Sequence, residues 1–433
     1  MSDSIVVLHL VAISWGGSYD YTHNIHQNLV SVGYRSYIAI AGRRIITPEE
    51  KEIKIHQTPL PFNERLKIKL HNMFMDYVNP LVDSKYTGTN FTERITQFNA
   101  KDLVDSLPET PDLIFVHWVS GYANAKYVND LQRLTGSMVY YIMIDEAILS
   151  GACHYPWDCK GYQNGCKNCK MTSSLILKNF VRQNYLFKKR HLLKEKNVIY
   201  PTTFDLLRLQ KSPLWKNAKT YRLLEAIDEN LFCPVEDKQK LREMFNIPDE
   251  KKVVFFGCSY LDEVRKGMKT LIASLDMLKR NDIVFLVAGK NTLPDMKQEI
   301  IFVGHLDMEK LAQAYQVADV FVCPSLEDSG PQMINMSIMS GTPVVAFEMG
   351  VAIDIVHTGQ TGYRAKFNDS EDMAKGINYI LDLPASEYHQ MEKRCRELAV
   401  NSFSKQIQLQ FFKELFEKTL KYDTIQQALL LRS

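Results

Sequence analysis

The sequence predicts an α/β protein built from two doubly wound domains. Three observations carry that expectation. Ten short apolar runs rich in Val, Ile and Phe punctuate the chain, helix-like stretches separate them, and the alternation stalls over residues 201–250 before restarting at Lys252. Runs that are apolar on both faces read as strands buried in parallel sheet. Regular alternation of strand and helix gives α/β layering. A chain of 433 residues has room for two or three domains at roughly 100–200 residues each. The expected division is 1–215, 216–400 and a closing segment, 401–433.

The runs of the first half are IVVLHLVAI (5–13), YIAIA (37–41), LIFVHW (113–118), MVYYIMI (138–144) and VIYP (198–201). Those of the second half are VVFFG (253–257), IVFLVAG (283–289), IIFVG (300–304), VFVCP (320–324) and PVVAF (343–347). Stretches 266–280 and 308–318 read as helices between them. In 402–423, Phe403, Ile407, Phe411 and Leu415 recur at i, i+4, and Phe412 and Phe416 widen the stripe, so one helix face is apolar.

Composition excludes several classes. Hydrophobic residues are 45% and charged residues 24%, which is globular rather than disordered or fibrous. Lys plus Arg exceed Asp plus Glu by 52 − 50, or +2, without the basic excess of a dedicated nucleic-acid binder. No apolar run approaches the roughly 20 residues of a spanning helix. The first run is preceded by Asp3 and by no Lys or Arg, a poor signal peptide. The expectation is a cytoplasmic protein with mostly reduced cysteines.

The most informative stretch is VFVCPSLEDSGPQMINMSIMSGTPVVAFEMG (320–350). Glu327 and Asp328 follow a strand, where an open parallel sheet binds ligands. Carboxylates there either accept from sugar hydroxyls or form a solvated acidic loop. Ser329, Gly330 and Pro331 open the next helix, and Gly330 permits close backbone approach to a phosphate. Arg265 and Lys266 open another helix after the first strand of this domain. Two cations there oppose the helix dipole unless an anion is bound. They are either a diphosphate clamp or surface cations.

In the first domain Gly16-Gly17 joins strand to helix and allows a tight turn. It is not GxGxxG, and that motif occurs nowhere else in the chain, which disfavours a dinucleotide oxidoreductase. Asp145 stands at a strand end and could orient an acceptor or act as a base. His117 and His154 are weaker candidates, each either structural or catalytic. Cys153, Cys159, Cys166 and Cys169 crowd one loop. They fit a structural zinc site, free thiols or disulfides. Residues 176–196 carry seven cations against one acid, interleaved with apolar residues. They form either a face for anionic lipid or a solvated helix face.

Arg265-Lys266-Gly267, FVGHL (302–306), ADVFVCPS (318–325), EDSGP (327–331), GTPVVAF (341–347) and TGYRA (361–365) occur in that order. As a set they resemble the family 4 glycosyltransferases, retaining nucleotide-sugar-dependent enzymes of the GT-B fold. Part of the first domain is similar to a branch that builds bacterial surface polysaccharides. The resemblance implies two Rossmann-like domains facing across a cleft, with the C-terminal helix crossing back to the first. It implies that Lys266 binds the donor diphosphate, that the EDSGP loop holds the donor sugar, and that the segment around Gly304 lies against the base. Gly16 and Gly17 would face the donor phosphates. The acceptor would be a glycan, on a lipid carrier at the inner face of the plasma membrane. No metal would be needed for chemistry, so any zinc would be structural.

Two departures from the family stand out. Where relatives carry a second Glu, this chain has Met336, and where many carry a His before Asp145, it has Ile144. Cys258 also replaces a frequent Arg. These departures leave a non-catalytic or altered homologue, such as a nucleotide-sugar epimerase or a binding partner, as the alternative.

Overall fold

The computed structural model describes residues 5–86, 88–290 and 298–430, with side chains described as far as Thr419. Asp3 and the last three residues of the closing segment lie outside the described residues. The chain divides into two compact units. One holds Met1–Tyr200, Asp205–Leu223 and Gln408–Ser433; the other holds Pro201–Phe204 and Leu224–Ile407.

Among the described residues, the first unit carries an eight-stranded sheet. Its strands are β1 (Val6–Val11), β2 (Arg35–Ile40), β3 (Arg44–Ile46), β4 (Glu52–Lys54), β5 (Leu113–Val116), β6 (Met138–Ile142), β7 (Asn197–Tyr200) and β8 (Lys219–Arg222). The spatial order is β4-β3-β2-β1-β5-β6-β7-β8. Pairing is parallel except at the β2-β3 and β3-β4 edge. The sequence order reverses between β1 and β5, which makes that gap the topological switch point.

The second unit carries a six-stranded, all-parallel sheet among the described residues. Its strands are β9 (Lys252–Tyr260), β10 (Ile283–Lys290), β11 (Ile300–Gly304), β12 (Val320–Cys323), β13 (Val344–Phe347) and β14 (Gly362–Ala365). The order β11-β10-β9-β12-β13-β14 puts its switch point between β9 and β12. Phe255, Phe285 and Phe321 are buried in this unit's core with Tyr315. Helices on both faces of each sheet make both units Rossmann-like, as the runs predicted.

All ten predicted runs contain a strand. The C-terminal stripe is divided where one helix was expected. A helix Ala385–Phe403 ends with Phe403 in the second unit's core, and a second, Lys405–Leu430, follows Ser404. That second helix packs on the first unit. Phe412, Leu415 and Phe416 are buried beside Val7, Leu113 and Phe115. Asn28 Nδ2 donates to Gln408 Oε1 at 2.8 Å, and Tyr140 Oη and Thr419 Oγ1 lie 2.9 Å apart.

Candidate functional site

The switch point of the second unit gathers charge. Strand β9 runs into a short turn of helix, Val264–Lys266, and β12 runs into Glu327–Pro331. Arg265 Nη1 and Lys266 Nζ both donate to Asp328 Oδ2 at 2.7 Å. Arg265 Nε also donates to Glu263 Oε1 at 2.8 Å. Burial alone would raise the Asp328 carboxyl, but the charges of Lys266 and Arg265 outweigh it and hold it below its usual range. Glu327 is buried beside it. Lys266 Nζ gives one of its three N–H groups to Asp328. Ser329 Oγ is buried with no hydrogen-bond partner.

Glycine fixes the approach of these two loops. Gly267 has φ +73°, and a Cβ there would lie 1.9 Å from the carbonyl oxygen of Pro324. The Leu326 N–H donates to the Arg265 carbonyl at 2.7 Å, which ties the loops together. Gly350, at φ +54°, passes within 2.8 Å of the Asp328 carbonyl by the same measure. At Gly330 a Cβ would make ordinary contact with Thr202 at 3.6 Å and Val351 at 3.9 Å. Pro331 precedes the helix Gln332–Met339. Gly304 ends β11 at φ +67° with open space around its Cα.

Met336 lies in the hydrophobic core of this unit. It offers neither a polar atom nor an exposed face to a ribose. Cys258 is also buried, its thiol raised to about 11 by burial, and its Sγ meets the Tyr260 carbonyl at 3.3 Å.

In the first unit, Gly16 follows β1 and caps the helix Gly17–Ser31. Its φ of 77° and ψ of 173° are open to glycine and almost nothing else. A Cβ at Gly16 or Gly17 would meet nothing within 4 Å, so the helix N-terminus is bare at this switch point.

Asp145 ends the loop after β6 and uses both carboxylate oxygens. Oδ1 accepts from the Ala147 N–H at 2.8 Å, and Oδ2 meets His154 Nδ1 at 2.5 Å. His154 Nε2 meets Ser120 Oγ at 3.0 Å, and Ser120 follows β5. Trp118 Nε1 also points at His154 Nδ1, at 3.0 Å. Nδ1 thus has two partners, the Asp145 carboxylate, which accepts from it when it carries the proton, and the Trp118 indole N–H, which donates to it when it does not. Nε2 and the Ser120 hydroxyl share one hydrogen bond whose direction follows the tautomer. Asp145 therefore orients an imidazole. Sequence reasoning ranked His154 low and missed Ser120. Ile144 does remove the adjacent His, but an imidazole reaches Asp145 from nine residues downstream. The Glu146 N–H to His154 carbonyl bond, 3.0 Å, returns the loop. His117 is fully buried and neutral, pushed down to about 3 by burial, with Nε2 2.9 Å from His9 Nδ1.

The four clustered cysteines form no disulfide. Burial first, then neighbouring thiols, push Cys153 far up; burial takes Cys166 to about 12 and raises Cys169. Each finds a local partner: Cys153 with Ser150, Cys159 with the Gly161 N–H, Cys166 with the Gly151 backbone and Cys169 with that of Met171. Among the described residues, no three or more His, Cys, Asp or Glu are arranged to hold a metal ion. The ligand set expected for zinc is thus not assembled there.

The basic segment folds as the helix Leu175–His191. Arg182, Lys189 and Arg190 stay exposed, but Lys188 turns inward and donates to the carbonyls of Ala147 and Ser150 at 2.7 and 3.0 Å. A larger apolar face lies on the helix Phe62–Val78. There Phe62, Leu66, Leu70, Met73 and Tyr77 recur at three and four residues and are all exposed, among exposed Arg65, Lys67 and Lys69. Among the described residues, no helix is long and apolar enough to cross a membrane.

Residues 237–398 match the family described as Glycosyl transferases group 1. A GDP-mannose-dependent alpha-mannosyltransferase of Corynebacterium glutamicum is 29% identical over 36% of this chain and 38% of its own. An alpha-monoglucosyldiacylglycerol synthase of Streptococcus pneumoniae is 26% identical over 45% of this chain and 47% of its own. The chain thus matches less than half the length of either relative. Likeness of fold extends further. A sucrose-phosphate synthase from Thermosynechococcus elongatus superposes with TM-score 0.66 at 18% identity, covering 96% of this chain and 100% of that one. Anabaena HepE in complex with UDP-glucose does so with TM-score 0.62 at 14% identity, covering 95% and 100%. The fold is GT-B, and the second unit carries the glycosyltransferase group 1 match.

Proposed function

We propose that this glycosyltransferase group 1 protein moves a sugar from a nucleoside diphosphate sugar to a hydroxyl of a glycan acceptor, with retention of configuration. One observation carries the reading: Arg265, Lys266, Glu327 and Asp328 meet at the β9–β12 switch point beside Gly330. In the proposed complex the diphosphate takes N–H groups of Lys266 and Arg265, and Glu327 and Asp328 accept from hydroxyls of the donor sugar. Ser329 Oγ and Gly330 complete the loop, while Gly304 borders the base. Gly16 and Gly17 offer backbone N–H groups to an anion.

A front-face course follows from these roles. The acceptor oxygen bonds to the anomeric carbon on the face that the phosphate leaves. The acceptor proton passes to the departing phosphate oxygen, whose charge the two cations stabilise. No protein nucleophile and no metal enter these steps. We further infer a lipid-linked acceptor of bacterial surface polysaccharide synthesis, met at the cytoplasmic face of a membrane. The exposed apolar stripe on Phe62–Val78 supports the membrane side of that reading. Met336 in the core favours one alternative, a homologue that has lost or altered donor binding.

The test is a thermal-shift screen of the full chain against UDP- and GDP-sugars, repeated with Lys266→Ala, followed by transfer assays. One donor should raise Tm in the wild type, and Lys266→Ala should lose that rise and the transfer. Full activity in Lys266→Ala sinks the diphosphate assignment. No shift with any donor, with or without added acceptor, establishes the non-catalytic alternative.

A further inference from the structure

The four-cysteine loop of the first unit takes no part in the proposed transfer. It carries His154 near its start and is pinned at both ends. The His154 N–H donates to the Gly88 carbonyl at 3.1 Å, and Cys153 bridges Thr89. At the far end the Asp83 N–H donates to the Met171 carbonyl at 2.8 Å, and Thr172 Oγ1 to the Leu81 carbonyl at 2.8 Å. Between these anchors the chain makes an excursion, 159–169, around the short helix Gly161–Asn164. Lys160, Asn164, Lys167 and Asn168 are exposed on it.

The base of this excursion is closed by weak contacts. Lys170 Nζ lies 2.7 Å from Asp158 Oδ2, but both side chains are more than half exposed, so water screens the pair and it contributes little. Cys159 and Cys169 are the next residues inward, one on each side of that ion pair. Cys159 is half-buried and Cys169 is buried. Burial raises the Cys169 thiol, and the neighbouring Cys159 raises it further, so the two sulfurs lie within electrostatic reach. Cys159 Sγ accepts from the Gly161 N–H at 3.3 Å, and a Cβ on Gly161 would lie 3.1 Å from that sulfur, so glycine leaves it room. The other two thiols face inward: Cys166 meets the Gly151 backbone, and Cys153 meets Ser150.

We propose that Cys159 and Cys169 are a redox-sensitive latch, a thiol pair that a small-molecule disulfide converts to a disulfide bond across the base of this excursion. The half-buried Cys159 sulfur meets the oxidant first. As thiolate it attacks one sulfur of R–S–S–R, forms a mixed disulfide and expels RS⁻. The Cys169 thiolate then attacks the Cys159 sulfur and expels the second RS⁻. Two protein S–H bonds break and one S–S bond forms. The two protons go to the two RS⁻, which leave as thiols, and two electrons pass from the protein to the small disulfide. The new bond does covalently what the Asp158–Lys170 pair does weakly. It ties the segment five residues after His154 to the one pinned at Leu81–Asp83, and so fixes the loop from which His154 reaches Asp145. The latch depends on neither the donor nor the acceptor of the proposed transfer.

The test uses the full chain, reduced with dithiothreitol and then equilibrated in mixtures of glutathione and glutathione disulfide. Thiols are counted by alkylation and mass spectrometry, and the bond is located by peptide mapping. Oxidation should remove two of the eight thiols and link Cys159 to Cys169. Closing this loop should raise Tm by several degrees. It should also slow tryptic cleavage after the exposed Lys160 and Lys167 severalfold, and dithiothreitol should reverse both effects. Cys159→Ser, at a partly exposed position that tolerates the change, should keep all its thiols and show neither effect. Cys233→Ser, in the other unit, should respond as the wild type does. Eight thiols still alkylated in excess glutathione disulfide overturn the latch. A disulfide between any other pair, or a full response in Cys159→Ser, does so too. Zinc in the reduced protein that a chelator must remove before these thiols react also overturns it.

Discussion

Asp328→Asn separates the electrostatic role of the switch-point cluster from its shape. The change deletes one negative charge and leaves the side chain nearly isosteric. In the wild type Asp328 Oδ2 holds Arg265 Nη1 and Lys266 Nζ at 2.7 Å each, and all three side chains are at least four-fifths buried. Breaking a buried ion pair from one side costs about 3–5 kcal/mol. Arg265 keeps Glu263 at 2.8 Å, which favours the lower end. A loss of about 3 kcal/mol lowers the Tm of a domain of this size by about 6–12 °C. The sign reverses once an anion is supplied. The variant cluster is more positive by one charge, and both cations are free of the carboxylate. Pyrophosphate or UDP should therefore raise Tm more in Asp328→Asn than in the wild type, while transfer falls. Differential scanning fluorimetry with and without pyrophosphate reads both effects. A variant with wild-type Tm and a wild-type response to pyrophosphate refutes the clamp. The same carboxyl predicts an acid limb. Its folded pKa lies below the ordinary 3.8, so its stabilisation is complete above that value and is lost as pH falls through the folded pKa.

Other expected outcomes follow from single features. Gly267→Ala should push the Arg265–Lys266 turn away from Pro324, since its Cβ would overlap a backbone carbonyl at positive φ. Tm should fall by several degrees and donor affinity should drop with it, as fluorimetry and donor titration would show. Leu70→Glu with Met73→Glu should leave Tm within about 2 °C, because both side chains are exposed. The pair should also reduce co-sedimentation with phosphatidylglycerol vesicles severalfold, and unchanged co-sedimentation removes the membrane role of that helix. His117 and His9 are buried and neutral, their pKa values pushed down by burial, His117 to about 3. Their stabilisation is complete above the unfolded value near 6.5 and is lost as pH falls through their lowered folded values. Stability should therefore fall as pH drops below about 6.5, by about 1 kcal/mol per pH unit for His117 alone. A melting temperature that stays flat between pH 7 and pH 5 contradicts the buried neutral pair.

Central strands were legible because burial on both faces writes them as apolar runs. The strands that went unread are all short and at or near sheet edges. They are β3 (RII), β4 (EIK), β8 (KTYR) and β14 (GYRA). An edge strand is paired on one side only, so polar residues are tolerated and the run disappears. Residues 201–250 looked strand-poor for this reason, although β8 lies among them. The break at Ser404 was hidden too, since Phe403 continues the apolar spacing into the next helix.

The two sites differed in legibility for a chemical reason. In the second unit, Lys266 and Asp328 sit on loops that need glycine to let the chain pass, and Gly267 against Pro324 is such a contact. Charge and glycine together mark those loops in a linear reading. In the first unit the candidate group is a hydrogen-bonded chain. Its members come from the loop after β5, the loop after β6 and a return nine residues later. None of Ser120, Asp145 or His154 is unusual alone. Only the parallel β5–β6 pairing and the bond from Glu146 to His154 bring them together. Ile144 therefore reads as a loss in the sequence, while in the fold Asp145 has an imidazole partner. The same logic applies to Met336. Its side chain is in the core, so the donor contact that relatives imply for that position has no substitute at the same place. In the proposed function donor binding then rests more heavily on Arg265, Lys266, Glu327 and Asp328, which makes the Asp328→Asn and Lys266→Ala measurements decisive for the transferase reading.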